Sequence, residues 1–280
     1  MEERLTMSPK SSTHVCPLCC LSAAPDAVTL GGYQLYLCAR CSLRFAPQAF
    51  QVPVDYDGVY QSAEYESDQV RALQSLDGNE LANHPTYRAF FEHVPRFPGA
   101  RLLDVGCGVG RFGQGACARG WDVTGIDVSP LAITTGRKFA AFPLRAATVE
   151  ELIEEGERFD VVTAFEVLEH LSSPVQFLST VQRLLRPGGQ VFLTVPNWNS
   201  AAVQNSTRPD WLPPIHLLFF TQSALRRAGE LSGLARVTTG VIRSDPLPQE
   251  TLPKARWLAR RLLLRPREPL GLWMHGRLPA

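Results

Sequence analysis

From Arg101 onward the chain alternates short, almost wholly apolar runs with amphipathic stretches, and that rhythm restricts the fold more than any other feature. Strands are expected at Arg101–Val105, Trp121–Ile126, Leu144–Thr148, Phe159–Phe165 and Gln190–Val195, then at Ala235–Arg243, with Leu270–Arg277 as a last, antiparallel strand. Helices are expected near 112–119, 130–139, 174–185 and 221–232. Runs that are apolar on both faces and separated by helices belong to a buried parallel sheet. The expected fold class is therefore α/β: a doubly wound, mostly parallel seven-stranded sheet with its core in residues 99–245 and its last strand beyond, preceded by a small cysteine-rich module.

That module is the second constraint. Cys16-Pro-Leu-Cys19 and Cys38-Ala-Arg-Cys41 form a C-x2-C-x18-C-x2-C pattern, inside the spacing range of a zinc site. Four thiolates on two tight turns close a tetrahedral shell, so the metal would be structural. The alternatives are a disulfide pair, disfavoured in a reducing compartment, and chance. Cys20 sits beside Cys19 as a spare that could confuse the ligand set. Cys107 and Cys117 read as small, partly buried residues of the next domain. Residues 14–46 thus read as a zinc ribbon with a strand at Tyr33–Leu37. Residues 47–98 read as a linker and helical lid, with helices near 62–76 and 84–94.

The remaining bulk properties mainly exclude. A net charge of +1 argues against a dedicated nucleic-acid binder. No apolar run reaches the roughly 18 residues a membrane span needs. Met1–Lys10 lacks the apolar core of a secretory signal, so the cytoplasm is the expected compartment. Residues 246–280 are expected to hold a basic helix and the last strand. Its segment 251–267 interleaves Trp257, Leu258 and Leu262 with Lys254, Arg256 and Arg260. Such a helix either docks on its own domain or makes a peripheral contact with an anionic membrane.

The chemistry concentrates where the first core strand breaks into glycines, "LLDVGCGVGRFG". Ligands of open α/β sheets sit at the carboxyl ends of the strands. Gly106, Gly108 and Gly110 let the backbone approach such a ligand. A dinucleotide fingerprint would need glycine at 111, where the chain has Arg111. Asp104 would repel a pyrophosphate and suits an ammonium or sulfonium. Asp127, at the end of the second core strand, is placed to accept the hydroxyls of a ribose. Ser129 before Pro130 already provides the helix cap that would otherwise be the structural role of Asp127.

As a set, "LLDVGCGVG", "VTGIDVSP", "FDVVTAFEVLEHL" and "LLRPGGQVFLTVPN" resemble the class I S-adenosylmethionine-dependent methyltransferases, which are Rossmann-like, over residues 85–240. Within that class "ATVEEL" and "EVLEH" are most similar to the ubiquinone-biosynthesis O-methyltransferases. The ribbon in front resembles a bacterial subgroup that includes sugar methyltransferases. The resemblance implies that Asp104, Gly106, Cys107, Gly108 and Gly110 hold the methionine end and Asp127 the ribose. Val128 would pack on the adenine, with Thr148, Val149 and Glu150 along its far edge. Family members often carry an acidic residue near 148, and Thr148 departs from that. Glu166 would face the methyl-transfer site.

A sulfonium methyl is already activated, so the protein must align the nucleophile, exclude water and remove a proton. His170 is the first candidate base and His216 the second. Either could instead bond a backbone carbonyl or pack beneath its loop. Glu166, Glu169 and His170 could alternatively hold a divalent cation. Tyr56, Tyr60, Tyr65 and His84 could close over the site or simply cover the flank of the domain. The expected activity is methyl transfer to a small-molecule acceptor, at a hydroxyl by resemblance, with carbon or nitrogen of a sugar or macromolecule open. The competing reading is a ribbon that recognises RNA or protein on a methyltransferase-like scaffold. The oligomeric state is open.

Overall fold

A computed structural model of the chain describes residues 13–62, 69–242 and 269–279. Tyr65 and the basic segment 251–267 lie outside the described residues. The ribbon opens with β1 (His14–Val15), β2 (Ser22–Leu30), β3 (Tyr33–Leu37) and β4 (Arg44–Phe45). β2 and β3 pair antiparallel across Gly31 and Gly32, whose φ values of 57° and 83° suit the primed turns that match strand twist. β2 is absent from the sequence reading, although its alternating exposure is the pattern of a half-buried strand.

Four short helices follow: α1 (Tyr56–Tyr60), α2 (Arg71–Ser75), α3 (Gly78–Ala82) and α4 (Pro85–His93). The expected helix at 84–94 therefore stands, with α3 added before it. Asp77 and Glu80 start α3 with a reciprocal capping box.

The core then runs β5 (Arg101–Val105), α5 (Arg111–Ala118), β6 (Asp122–Asp127), α6 (Pro130–Gly136), β7 (Leu144–Ala146), α7 (Val149–Glu154), β8 (Phe159–Phe165), α8 (Pro174–Gln182) and β9 (Leu185–Pro196). After a short helix, α9 (Ala201–Gln204), come β10 (Leu218–Phe219), α10 (Gln222–Leu231), β11 (Ala235–Ile242) and β12 (Gly271–Arg277). The main sheet has seven strands in the order β11-β12-β9-β8-β5-β6-β7. β5 to β9 are parallel, and β12 runs antiparallel to both its neighbours, as expected. Two expectations shift at their edges. β7 stops at Ala146 because Thr148 caps α7 through a second capping box with Glu151, and that helix was not anticipated. β9 starts at Leu185, five residues earlier than the apolar run suggests.

Alternate residues of the central strands serve opposite faces. Leu102, Val161 and Phe192 join Phe90, Phe112 and Trp121 on one side. Leu103, Val162 and Leu193 join Leu168, Leu178 and Leu225 on the other. Phe90 of α4 is fully buried, worth about 2–3 kcal/mol. α4 is thereby part of the core's shell.

The ribbon is stitched to this core. β4 pairs with β10, so the second sheet runs β1-β2-β3-β4-β10, and the Ala46 N–H donates to the Leu217 carbonyl at 3.0 Å. No described helix is long and apolar enough to cross a membrane.

Candidate active site

The order of the main sheet reverses between β5 and β8, and a crevice opens at their carboxyl ends, as physics of open α/β sheets requires. A cavity of about 1140 Å³ lies there. It runs from Asp104, Asp127 and Val128 through Glu166 to His170 and His216. The sequence-derived cofactor residues Gly106, Cys107, Gly108, Thr148, Val149 and Glu150 also line it. Gly110 is outside that lining and serves as the left-handed N-cap of α5.

At the first turn Gly106 has φ 68°, a region L side chains avoid, and a Cβ there would stand 2.5 Å from Val167 Cγ2. The turn is thus a cradle of bare backbone. Asp127 is 4% exposed and organises it: its carboxylate accepts from the Gly108 N–H at 2.8 Å, the Ser129 N–H at 2.9 Å and the Tyr60 hydroxyl at 3.0 Å. Burial still holds its carboxyl above the usual range. Ser129 caps α6 by accepting from the Ala132 N–H, and its hydroxyl donates to Asp57 of α1. α1 therefore closes directly over the second strand's carboxyl end. Val128, next to Asp127, is 62% exposed and gives the cavity an apolar surface beside that carboxylate. The Thr148 hydroxyl is occupied in its capping box.

Asp104 is 2% exposed, accepts from the Thr163 hydroxyl at 2.8 Å, and is pushed up to about 7 by burial. Glu166, at φ 54° and exposed to the cavity, accepts from the Thr194 hydroxyl at 2.7 Å, and desolvation of its carboxyl by the surrounding protein raises it to about 7. Both threonines sit mid-strand in apolar runs, and a polar residue there was the signal sequence reading passed over. Glu169 is fully buried, and burial together with the Glu166 charge drives its carboxyl well above its ordinary value.

The His170 ring presents Nδ1 to the Ile215 carbonyl at 3.0 Å. A carbonyl only accepts, so Nδ1 carries the proton and Nε2 is the bare nitrogen. Its ring meets that of His216 edge-on at 4.7 Å, and Trp211 lies parallel to His216 at 6.4 Å. Burial depresses His170 to about 4 and holds His216 well below 6.5. Both imidazoles are therefore neutral at pH 7. Ligand atoms of Glu169, His170 and His216 all lie within 4.8 Å of one another. His216 takes the place in this group that Glu166 held in the sequence reading, because Glu166 is turned toward Thr194. Tyr56 and His84 line the cavity beside Tyr60, as a lid would.

In the ribbon, Cys16, Cys19, Cys38 and Cys41 converge, with ligand atoms within 4.8 Å of one another. Cys16 and Cys41 sulfurs are 3.5 Å apart and Cys19 and Cys38 sulfurs 3.4 Å. Those separations are far beyond a disulfide and near the edge of about 3.8 Å that a tetrahedron of 2.3 Å Zn–S bonds would have. Cys20 is exposed and stands outside the group.

A family model described as a methyltransferase domain matches residues 79–239. Ubiquinone biosynthesis O-methyltransferases are similar: that of Dechloromonas aromatica is 46% identical over 111 residues, covering 36% of this chain and 46% of the relative. That of Alkalilimnicola ehrlichii is 43% identical, covering 36% and 43%. The chain thus spans just under half the length of these curated relatives. Among solved structures, a chain from the complex between the Haloferax volcanii Trm112 methyltransferase activator and a methyltransferase gives TM-score 0.58 at 18% identity, covering 82% of this chain and all of that one. An S-adenosylmethionine-dependent methyltransferase from Mesorhizobium loti gives 0.51 at 21% identity, covering 70% and 99%. These structures share the fold. With the family model spanning more than half of its residues, the chain belongs to the methyltransferase family, on the Rossmann-like fold of the S-adenosylmethionine-dependent enzymes.

Proposed function

We propose that the chain transfers a methyl group from S-adenosylmethionine to a hydroxyl of a small-molecule acceptor. The observation that carries this reading is the single cavity joining the Asp104–Asp127 end to the His170–His216 end. The residues fit the cofactor: bare glycine backbone at 106, the buried Asp104 and the cavity-facing Glu166 for its cationic end, a ribose acceptor at Asp127 and an apolar floor at Val128. When bound, S-adenosylmethionine supplies a methyl group already activated on a sulfonium. Asp104, with Gly106, Cys107, Gly108 and Gly110 shaping the turn, orients the methionine end. Val149 and Glu150 bound the adenine side, where the capped Thr148 leaves hydrogen bonding to backbone.

His170 acts as base. The bare Nε2 would take up the proton a hydroxyl acceptor loses as the methyl carbon passes from the cofactor's sulfur to its oxygen, and the Ile215 carbonyl on Nδ1–H would steady the charge that forms. His216 shapes the acceptor end with Trp211, and Glu166 sets the polarity between the two ends. Glu169, His170 and His216 form a donor set that suits a divalent cation, which would compete with the base role. Cys16, Cys19, Cys38 and Cys41 hold a structural zinc in residues 14–46. Of residues 47–98, the part before α4 forms a lid and α4 packs into the core's shell; residues 99–245 are the catalytic core, and the cytoplasm is the setting. The similar ubiquinone biosynthesis O-methyltransferases act at oxygen by name, which supports the hydroxyl preference.

The test is calorimetry with S-adenosylhomocysteine followed by mass-shift assays on phenols, sugars and amines. His170→Gln should leave S-adenosylhomocysteine affinity unchanged and lower kcat about 100-fold. Transfer to amines alone, or an unchanged kcat in that variant, overturns the reading.

A further inference from the structure

The cavity is rich in acids, and one guanidinium on its wall is neutralised by none of them. Asp104, Asp127, Glu150 and Glu166 line it, together with Asp210. The lining histidines add no charge at neutral pH, since burial and the nearby Arg111 depress His84 to about 4, as burial does His170. Two arginines complete the lining, Arg111 and Arg208. Arg208 pairs with Asp210 at 2.7 Å. Arg111 makes no ion pair among the described residues: its Nη1 donates to the Gln69 side chain at 3.0 Å, and its Nε is buried without a partner.

Its place is defined by its neighbours. Asp104 precedes the Gly106–Gly110 turn at the end of β5, Arg111 follows it as the first residue of α5, and both line the cavity. The guanidinium therefore stands at the same end of the cavity as Asp104.

We propose that Arg111 binds the carboxylate of the methionine end of the cofactor. The assignment rests on the S-adenosylmethionine reading and adds what that reading lacks. The methionine end carries an ammonium and a carboxylate besides its sulfur. Asp104 and Glu166 suit the cationic groups and repel the carboxylate. A buried carboxylate needs a paired cation, and the planar fork of arginine matches its two oxygens. The residue that removes the chain from the dinucleotide pattern thus becomes the one that recognises an amino-acid end.

Two ligands separate this role from a structural one. S-adenosylhomocysteine carries the amino-acid end, whereas 5′-methylthioadenosine keeps the nucleoside and thioether without it. In calorimetry, Arg111→Gln should weaken S-adenosylhomocysteine roughly 10- to 100-fold and leave 5′-methylthioadenosine unchanged. Arg111→Lys should recover part of the loss. An equal loss for both ligands, or no loss for S-adenosylhomocysteine, overturns the assignment and leaves the cofactor reading intact. Failure of the unaltered chain to bind either ligand overturns both.

Discussion

The Tyr60 hydroxyl donates to Asp127 Oδ2 at 3.0 Å, the same oxygen that accepts the Gly108 N–H. Helix α1 thus occupies the position where ribose hydroxyls would donate. A ligand must displace that hydroxyl, so Tyr60→Phe should tighten S-adenosylhomocysteine binding by about 0.5–1 kcal/mol, a few-fold in Kd. Asp127→Asn should weaken it about 10- to 100-fold, since it removes the charged acceptor. A weaker Kd for Tyr60→Phe would show that the hydroxyl joins the ligand rather than giving way to it.

Binding should depend on pH through Asp104. Its carboxyl titrates near 7 because it is buried, and a cationic ligand group requires the ionised form. Below pH 7 the proton must leave before the ligand binds, so affinity falls as pH drops, by up to about tenfold per unit. Above pH 7 the dependence flattens. The folded carboxyl is raised above its unfolded value of 3.8. Ionising it therefore costs stability as pH rises from about 4 to 7, and a bound cation should relieve that cost. Calorimetry from pH 5.5 to 8 checks the window, and Asp104→Asn should make the profile shallower, leaving the part due to Glu166, which is raised into the same range.

Zinc should register in the acceptor end rather than in the cofactor end. The cysteine turns lead directly into β4, which pairs with β10, and the Leu217 N–H beside β10 donates to the Glu169 carbonyl at 2.8 Å. Elemental analysis should find one zinc per chain. Chelation or Cys38→Ser should speed hydrogen exchange at the Ala46 amide and at 217–219 by about 30-fold, equivalent to about 2 kcal/mol of lost local stability. Amides of β5 and β6 should be unaffected.

Gly106→Ala meets two obstacles, a left-handed backbone and Val167 Cγ2 at 2.5 Å. The backbone alone should cost about 1–2 kcal/mol, read as a lower urea midpoint. Adding Val167→Ala should return the steric part and leave the backbone part, so the double-mutant cycle should be non-additive.

The parallel core was legible because its strands are apolar on both faces and each ends in its own turn chemistry. Asp127 and Ser129 could be assigned separate roles from three consecutive residues, and the structure keeps them separate. What escaped was of two kinds. α7 carried a readable capping box, Thr148 to Glu151, which begins at the last residue of a segment read as strand. β10 is two residues long and pairs only with β4, itself two residues held on β3, so nothing local marks it. His216 could be named as a candidate, but its approach to His170 depends on that pairing. Arg111 was visible only as a missing glycine until its lack of a counter-charge was seen.

The place of β12 also governs how the molecule can be assembled. The strand slots between β9 and β11, bonding to both, although every other described strand precedes it. During synthesis β9 and β11 must wait apart with a gap one strand wide, each showing an unpaired backbone edge to its surroundings. The sheet is locked by that insertion, so a ribosome pausing before Gly271 leaves the strands already made with two adhesive seams.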